Sequence, residues 1–259
     1  MKKYLVVVLI VFLSLFPRLT KADDWQVAKS THFIIYYKNA PLDFIENLME
    51  ESEDYYNSIA ENLGFRRYSF WLWDDRAKIY IYDDAKGYLS TTNKPGWSMG
   101  SAIPKDKIIH AFPHAQRFFD TTLPHEMGHI IFREFVGFEN NAVPIWLDEG
   151  VASYQEKFGR PMAKRLVKEA MAKNRFVGLE WLSNINPQSI KDPEMVNLFY
   201  AEAISIVDYL IEEVGKEKFL FFCQALRDKR NLGEVIQSSY SFKNIQELDS
   251  AWQRYLKNE

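Results

Sequence analysis

His125-Glu126-Met127-Gly128-His129 constrains this chain more than any other stretch. On an α-helix, residues four apart stand on one face with about 6 Å of rise between them. Two imidazoles so placed can converge on one metal ion, and the glutamate between them projects beside an open coordination position. The chain has 5 His among 259 residues, and two of them fall at this spacing. A chance pairing on a surface helix is a poor account of that.

A three-ligand site needs another donor. Pro144-Ile145-Trp146-Leu147-Asp148-Glu149-Gly150-Val151-Ala152-Ser153-Tyr154 offers Glu149, 20 positions after His129. That gap lets the first helix stop at Gly137, the chain turn, and Pro144 open a second helix. Gly150, Ala152 and Ser153 are small, which lets two helix backbones come close enough for a carboxylate to reach the metal. The competing account of Glu149 is an ordinary solvated helix glutamate. Asp148 is the rival ligand, but it projects about 100° away from Glu149 on a helix.

Leu123-Pro124-His125-Glu126-Met127-Gly128-His129, followed by Trp146-Leu147-Asp148-Glu149-Gly150-Val151-Ala152-Ser153-Tyr154, resembles the gluzincin metallopeptidases. These are the thermolysin-like group with two His and one Glu on zinc. The second motif is similar to the W-x-x-E-G-x-A-x-Y pattern of bacterial peptidase MA-like proteins. The resemblance implies one Zn2+ per chain on His125, His129 and Glu149, with Glu126 as general base. The metzincin pattern needs a glycine and a histidine where this chain has Phe132 and Phe135, so that branch is excluded. Gluzincins often supply a tyrosine or histidine from the helical half to the oxyanion, and Tyr200 is the candidate here. Tyr200 also shares a helical stripe with Ile204, Val207 and Ile211, which is the pattern of a core tyrosine. His114 and Tyr154 are the alternatives for the oxyanion. Ser153 stands one turn after Glu149, where it can bond a ligand or simply pack. His32 and His110 fall in expected strands and read as structural.

Lys2 and Lys3 precede an apolar run from Tyr4 to Phe16, which suits a signal peptide and is short for a membrane span. Thr20-Lys21-Ala22 suits cleavage before Asp23, giving a signal peptide over 1–22 and an exported, periplasmic or secreted protein. An uncleaved segment would be a membrane anchor. Losing 1–22 removes four of the 32 basic residues and none of the 35 acidic ones, so the net charge falls from −3 to −7. Such a chain, with no basic run, is a poor partner for nucleic acid or an anionic membrane. Cys223 is the single cysteine, so no intrachain disulfide forms, and its apolar neighbours suggest a small buried residue.

Residues 23–259 read as a single two-lobed domain, sheet-rich over 23–115 and helical over 116–259. His32 to Tyr37 reads as a strand, and Leu42 to Leu63 as a helix ended by Gly64. Tyr68 to Trp73 and Lys78 to Tyr82 alternate like strands, and short strands are expected at Trp97 to Ile103 and Lys107 to Phe112. A long helix from Met195 to Val214 is opened by Asp192-Pro193 and closed by Gly215, and a last one carries Ile245, Leu248, Trp252 and Tyr255. The fold class is α+β with the zinc motifs at the junction. The expected function is a zinc-dependent endopeptidase acting on protein or peptide. A non-hydrolytic peptide-binding or chaperone-like module is the alternative, and an aminopeptidase the second. Gluzincin aminopeptidases share a G-x-M-E-N segment whose glutamate pairs with the substrate's α-amino group. In the comparable Gly96-Trp97-Ser98-Met99-Gly100-Ser101, Gly100 stands at the glutamate position and Ser101 at the asparagine.

Overall fold

The computed structural model describes residues 25–66, 70–113, 115, 117–229 and 231–258. The expected signal peptide, Asp23 and His114 lie outside the described residues.

The first part of the chain builds a mixed sheet around one long helix. Its elements are β1 (Gln26–Lys29), β2 (Phe33–Tyr37), α1 (Leu42–Asn62), β3 (Ala77–Ile81), α2 (Ala85–Thr92), β4 (Gly100–Ile103) and β5 (Ile108–Ala111). Strand order is β1-β2-β3-β5-β4. β2, β3 and β5 run parallel, while β1 and β4 pair antiparallel at the two edges. Alternation in β2 and β3 buries Phe33, Ile35 and Tyr37 beside Ala77, Ile79 and Ile81. Register places Ile35, Ile79 and Ile109 in one row across the sheet's covered face. α1 makes the crossover between parallel β2 and β3, burying Ile45, Leu48, Tyr56 and Ile59. It stops where Gly64 takes a φ of 71°, a conformation that favours glycine.

The strand expected over 68–73 is not formed in its described part, 70–73. Trp73 adopts a φ of 58° and opens a 3-10 turn through Asp75. The apparent alternation comes from one core residue: Trp71 is fully buried against Phe33 and Tyr56, with exposed Phe70 and Leu72 on either side. β4 is shorter than expected because a turn with Ser98 N–H on Pro95 C=O precedes it.

The remainder is helical: α3 (Leu123–Val136), α4 (Ile145–Tyr154), α5 (Gly159–Ala172), α6 (Gly178–Asn184), α7 (Pro193–Asp208), α8 (Lys216–Lys229), α9 (Leu232–Tyr240) and α10 (Ile245–Asn258). α7 continues into a π-turn, Tyr209–Glu213, before Gly215 at a φ of 118° ends it. Among the described residues every strand precedes residue 112, and the fold is α+β. α7 runs through the middle of the helical half, with Phe199, Ala203, Ile206 and Val207 fully buried. One polar side chain joins them: fully buried Glu202 accepts the N–H groups of Val177 and Gly178 at 3.0 and 2.9 Å. Asp249 of α10 accepts the next N–H, from Leu179, so the start of α6 is held from two sides. Cys223 is buried in α8. No helix of the described residues is long and apolar enough to cross a membrane.

Candidate metal centre

α3 enters from a π-turn, Phe118–Thr122, and buries Leu123, Met127, Ile130, Ile131 and Phe132. The opposite face leaves His125 and His129 only partly covered. Gly137, at a φ of 99°, breaks the helix as the sequence predicts. Asn140 then organises the turn to α4: its amide donates to Val136 and Leu226 carbonyls, and its carbonyl accepts from Ala142 N–H. Pro144 stands immediately before α4, at the N-cap.

Two glycines set how closely the helices approach. A methyl group at Gly128 would meet the Ala152 Cα at 2.9 Å, so α3 and α4 touch backbone to backbone. A methyl group at Gly150 would overlap the Ala203 carbonyl of α7. The small residues around Glu149 therefore do what their size suggested, on both sides of α4.

These approaches bring His125, His129 and Glu149 together. The two Nε2 atoms lie 3.2 Å apart, and Glu149 Oε2 is 3.6 and 3.7 Å from them. Tetrahedral ligands at about 2.0–2.2 Å from zinc stand roughly 3.3–3.5 Å from one another. The donor set fits that ion. The other ring nitrogens support this. His125 Nδ1 is 2.9 Å from Glu156 Oε1 and 3.2 Å from Ser153 Oγ, and His129 Nδ1 is 3.0 Å from Asp148 Oδ1. A carboxylate only accepts, so each Nδ1 carries a proton, which leaves each Nε2 as the nitrogen that can offer its lone pair to a metal ion. Three electron-rich atoms facing one point repel unless a proton or a metal cation lies between them.

Asp148, the rival ligand, is occupied elsewhere. It bridges His129 and Arg133, whose guanidinium meets Asp148 Oδ2 at 2.7 and 2.8 Å. Burial raises the Asp148 carboxyl, but His129 and Arg133 outweigh it and hold it below its ordinary range. At His125 and His129 burial opposes the charged ring, yet the surrounding carboxylates raise both. The centre is a place where positive charge is favoured.

Glu126 is buried beside this set. Burial pushes its carboxyl up, against the pull of His125 and His129. Gly100 of β4 faces it: a Cβ there would lie 3.4 Å from Glu126 Oε1 and 2.5 Å from Thr122 Cγ2. Tyr200, in the second turn of α7, is partly buried and packs edge-on to Phe199. Burial first, then the charges of Glu149, Glu126 and Glu156, raise its phenol, so it keeps its proton. Tyr154 is directed away, donating to Glu212 at 2.6 Å with Arg160 over its ring. His110 bonds Tyr82 on the sheet, and His32 stacks on Tyr56 beside Glu53. Sequence reasoning missed Glu156 and the supporting role of Asp148. The signal for Glu156 was its place two helical turns after Glu149.

A family model described as the Peptidase MA superfamily matches residues 73–258, which include both motifs. The chain belongs to the Peptidase MA superfamily. No curated protein sequence matches it at a significant level. Among solved structures it is similar to yeast LTA4 hydrolase in complex with bestatin, at 17% identity and a TM-score of 0.50. That likeness covers 91% of this chain and 37% of the other. The native yeast LTA4 hydrolase matches at 16% identity and a TM-score of 0.50, over 88% of this chain and 39% of the other. This member of the superfamily thus spans well under half of those structures and shares their gluzincin-like fold.

Proposed function

We propose that the protein is an exported zinc-dependent endopeptidase. The observation that carries this reading is the meeting of His125 Nε2, His129 Nε2 and Glu149 Oε2 beside buried Glu126, with both imidazole tautomers set by carboxylates. His125, His129 and Glu149 would hold the ion. Zinc there supplies Lewis acidity and brings the pKa of water towards 7. Glu126 takes the proton from the attacking water and returns it to the leaving amine. Its burial and raised pKa suit a group that must hold that proton between the two steps. Tyr200, protonated and next to the carboxylates, donates a hydrogen bond to the oxygen on which charge develops.

Cleavage within a chain, rather than at its amino end, is supported by β4. Position 100 of β4 is a glycine and supplies no carboxylate of its own to bind a free ammonium. β4 is also an edge strand, so its backbone can pair with an extended peptide.

The test combines metal analysis with hydrolysis of blocked peptides and of aminoacyl chromogenic substrates. One zinc per chain is expected, lost in His129→Ala and weakened in Glu149→Ala. Glu126→Gln should keep its zinc and lose about 10²–10⁴-fold in rate. Full zinc retention by Glu149→Ala removes that ligand, and equal hydrolysis by Glu126→Gln removes the base. Preferential turnover of aminoacyl substrates would make the enzyme an aminopeptidase. Export is checked by N-terminal sequencing of the native protein: a start at Asp23 supports it, and a start at Met1 in the membrane fraction indicates an anchor.

A further inference from the structure

A cavity of about 500 Å³ opens next to Tyr200, between the approach to β4 and the start of α7. We propose that it is the specificity pocket of this site and takes a large apolar side chain of the peptide substrate. The proposal rests on the peptidase reading above and adds the substrate class.

Its sheet-side wall is Trp97, which is 65% exposed. The backbone beside that ring is fixed: buried Ser98 bonds the Tyr88 hydroxyl at 2.6 Å and the Gly100 carbonyl at 2.9 Å. Three residues after Trp97, Gly100 lies against Glu126. The helical wall is Pro187, Ile190, Pro193, Val196 and Tyr200. Two prolines limit the freedom of the loop before α7, and Val196 and Tyr200 are neighbours four apart on one helix face. Both walls therefore lead to the reacting position, one through Gly100 and the other through Tyr200.

The chemistry of the walls selects the ligand. The volume falls within the roughly 300–1,000 Å³ of small-ligand sites, enough for an aromatic ring. Trp97, Ile190 and Val196 present apolar surface, and Trp97 gains burial when the cavity fills. Lys191 is the one charged residue lining it. A cationic side chain would lose water here and meet a like charge, so lysine and arginine are rejected. Phenylalanine and leucine should be preferred to alanine by about 10- to 100-fold.

The experiment uses N-blocked, amidated peptides that differ at one position, carrying Phe, Leu, Ala or Arg on either side of the cleaved bond. Two readouts run in parallel: kcat/KM with the zinc-loaded wild type, and calorimetric binding of the same peptides to zinc-loaded Glu126→Gln. A preference for Phe and Leu over Ala and Arg in both, collapsing towards equality in Val196→Trp, is the expected result. Ile190→Arg is the second variant, so that a misfolded Val196→Trp does not decide the matter. Equal binding of Phe and Ala peptides, or a preference that survives in a folded pocket variant, overturns the pocket. If the wild type cleaves nothing while Glu126→Gln binds Phe peptides selectively, the peptidase reading falls and the pocket stands. If peptides are neither cleaved nor bound, both fall.

Discussion

Gly150→Ala places one methyl group between the two helices that carry Glu149 and Tyr200. The added Cβ would overlap the Ala203 carbonyl oxygen and lie 2.8 Å from Val207 Cγ2 and 2.9 Å from the Ala203 carbonyl carbon. Ordinary contact begins near 3.4 Å, and a backbone carbonyl cannot swing aside as a side-chain tip can. α4 and α7 must therefore part by something on the order of 1 Å. Overpacking of this kind costs about 1–3 kcal/mol, which lowers the melting temperature by several degrees in a protein of this size. The displacement acts at Glu149, the adjacent residue, and at Tyr200, one turn before Ala203. A shift of about 1 Å in a catalytic constellation costs roughly 10²-fold in rate. The assay is thermal unfolding, zinc content and peptide hydrolysis, with Gly233→Ala in α9 as the control because a methyl there meets only Asn231 Oδ1, at 3.6 Å. If Gly150→Ala melts, binds zinc and hydrolyses like the control, the account of helix spacing is wrong.

Asp148→Asn should weaken zinc binding by about 10- to 100-fold, measured by chelator competition, because it loosens His129 and leaves Arg133 without its carboxylate. Unchanged affinity would reduce Asp148 to a packing residue. Tyr200→Phe should lower kcat by about 10²–10³ with little change in KM, whereas Tyr154→Phe, whose hydroxyl serves Glu212, should leave kcat near wild type; equal effects would refute the assignment. Burial raises Glu202 from an ordinary 4.5 to about 7, against its two backbone donors. The folded state then binds more protons than the unfolded one between those values. That contribution is fully present below about pH 4.5 and is lost as pH rises through 7, a change on the order of 3 kcal/mol. Urea midpoints taken from pH 5 to 8 should fall, and Glu202→Gln should flatten the slope; an identical slope in the variant would assign it to other groups.

The convergence of His125, His129 and Glu149 was legible because helical spacing turns sequence into geometry: four residues make one face, and a glycine–proline gap makes a helix pair. The same spacing put Ser153 one turn after Glu149, and of the two roles open to it there, the structure has its hydroxyl 3.2 Å from His125 Nδ1. What stayed hidden depends on tertiary direction. Nothing local tells that Asp148 turns to His129 and Arg133 or that Tyr154 turns to Glu212, and although Glu156 follows Glu149 by two helical turns, α4 ends at Tyr154 before reaching it. In the described part of the 68–73 stretch, 70–73, the alternation misled because burial of Trp71 imitates a strand where no strand forms. α2 escaped notice because its few apolar residues show little periodicity, and its start is defined by Asp84 accepting the Gly87 N–H.

Gly150 against Ala203 also bears on the order in which the molecule assembles. His125, His129 and Glu149 lie within two consecutive helices joined by a short turn, so closing that pair forms contacts of low sequence separation. Tyr200 and the pocket wall arrive with α7, some fifty residues later, after a much longer loop has closed. During synthesis, then, His125, His129 and Glu149 can meet before α7 has emerged. With no room for even a methyl group between α4 and α7, the later helix has one seat available. Seating it against Gly150 fixes Tyr200 relative to Glu149 through the same contact.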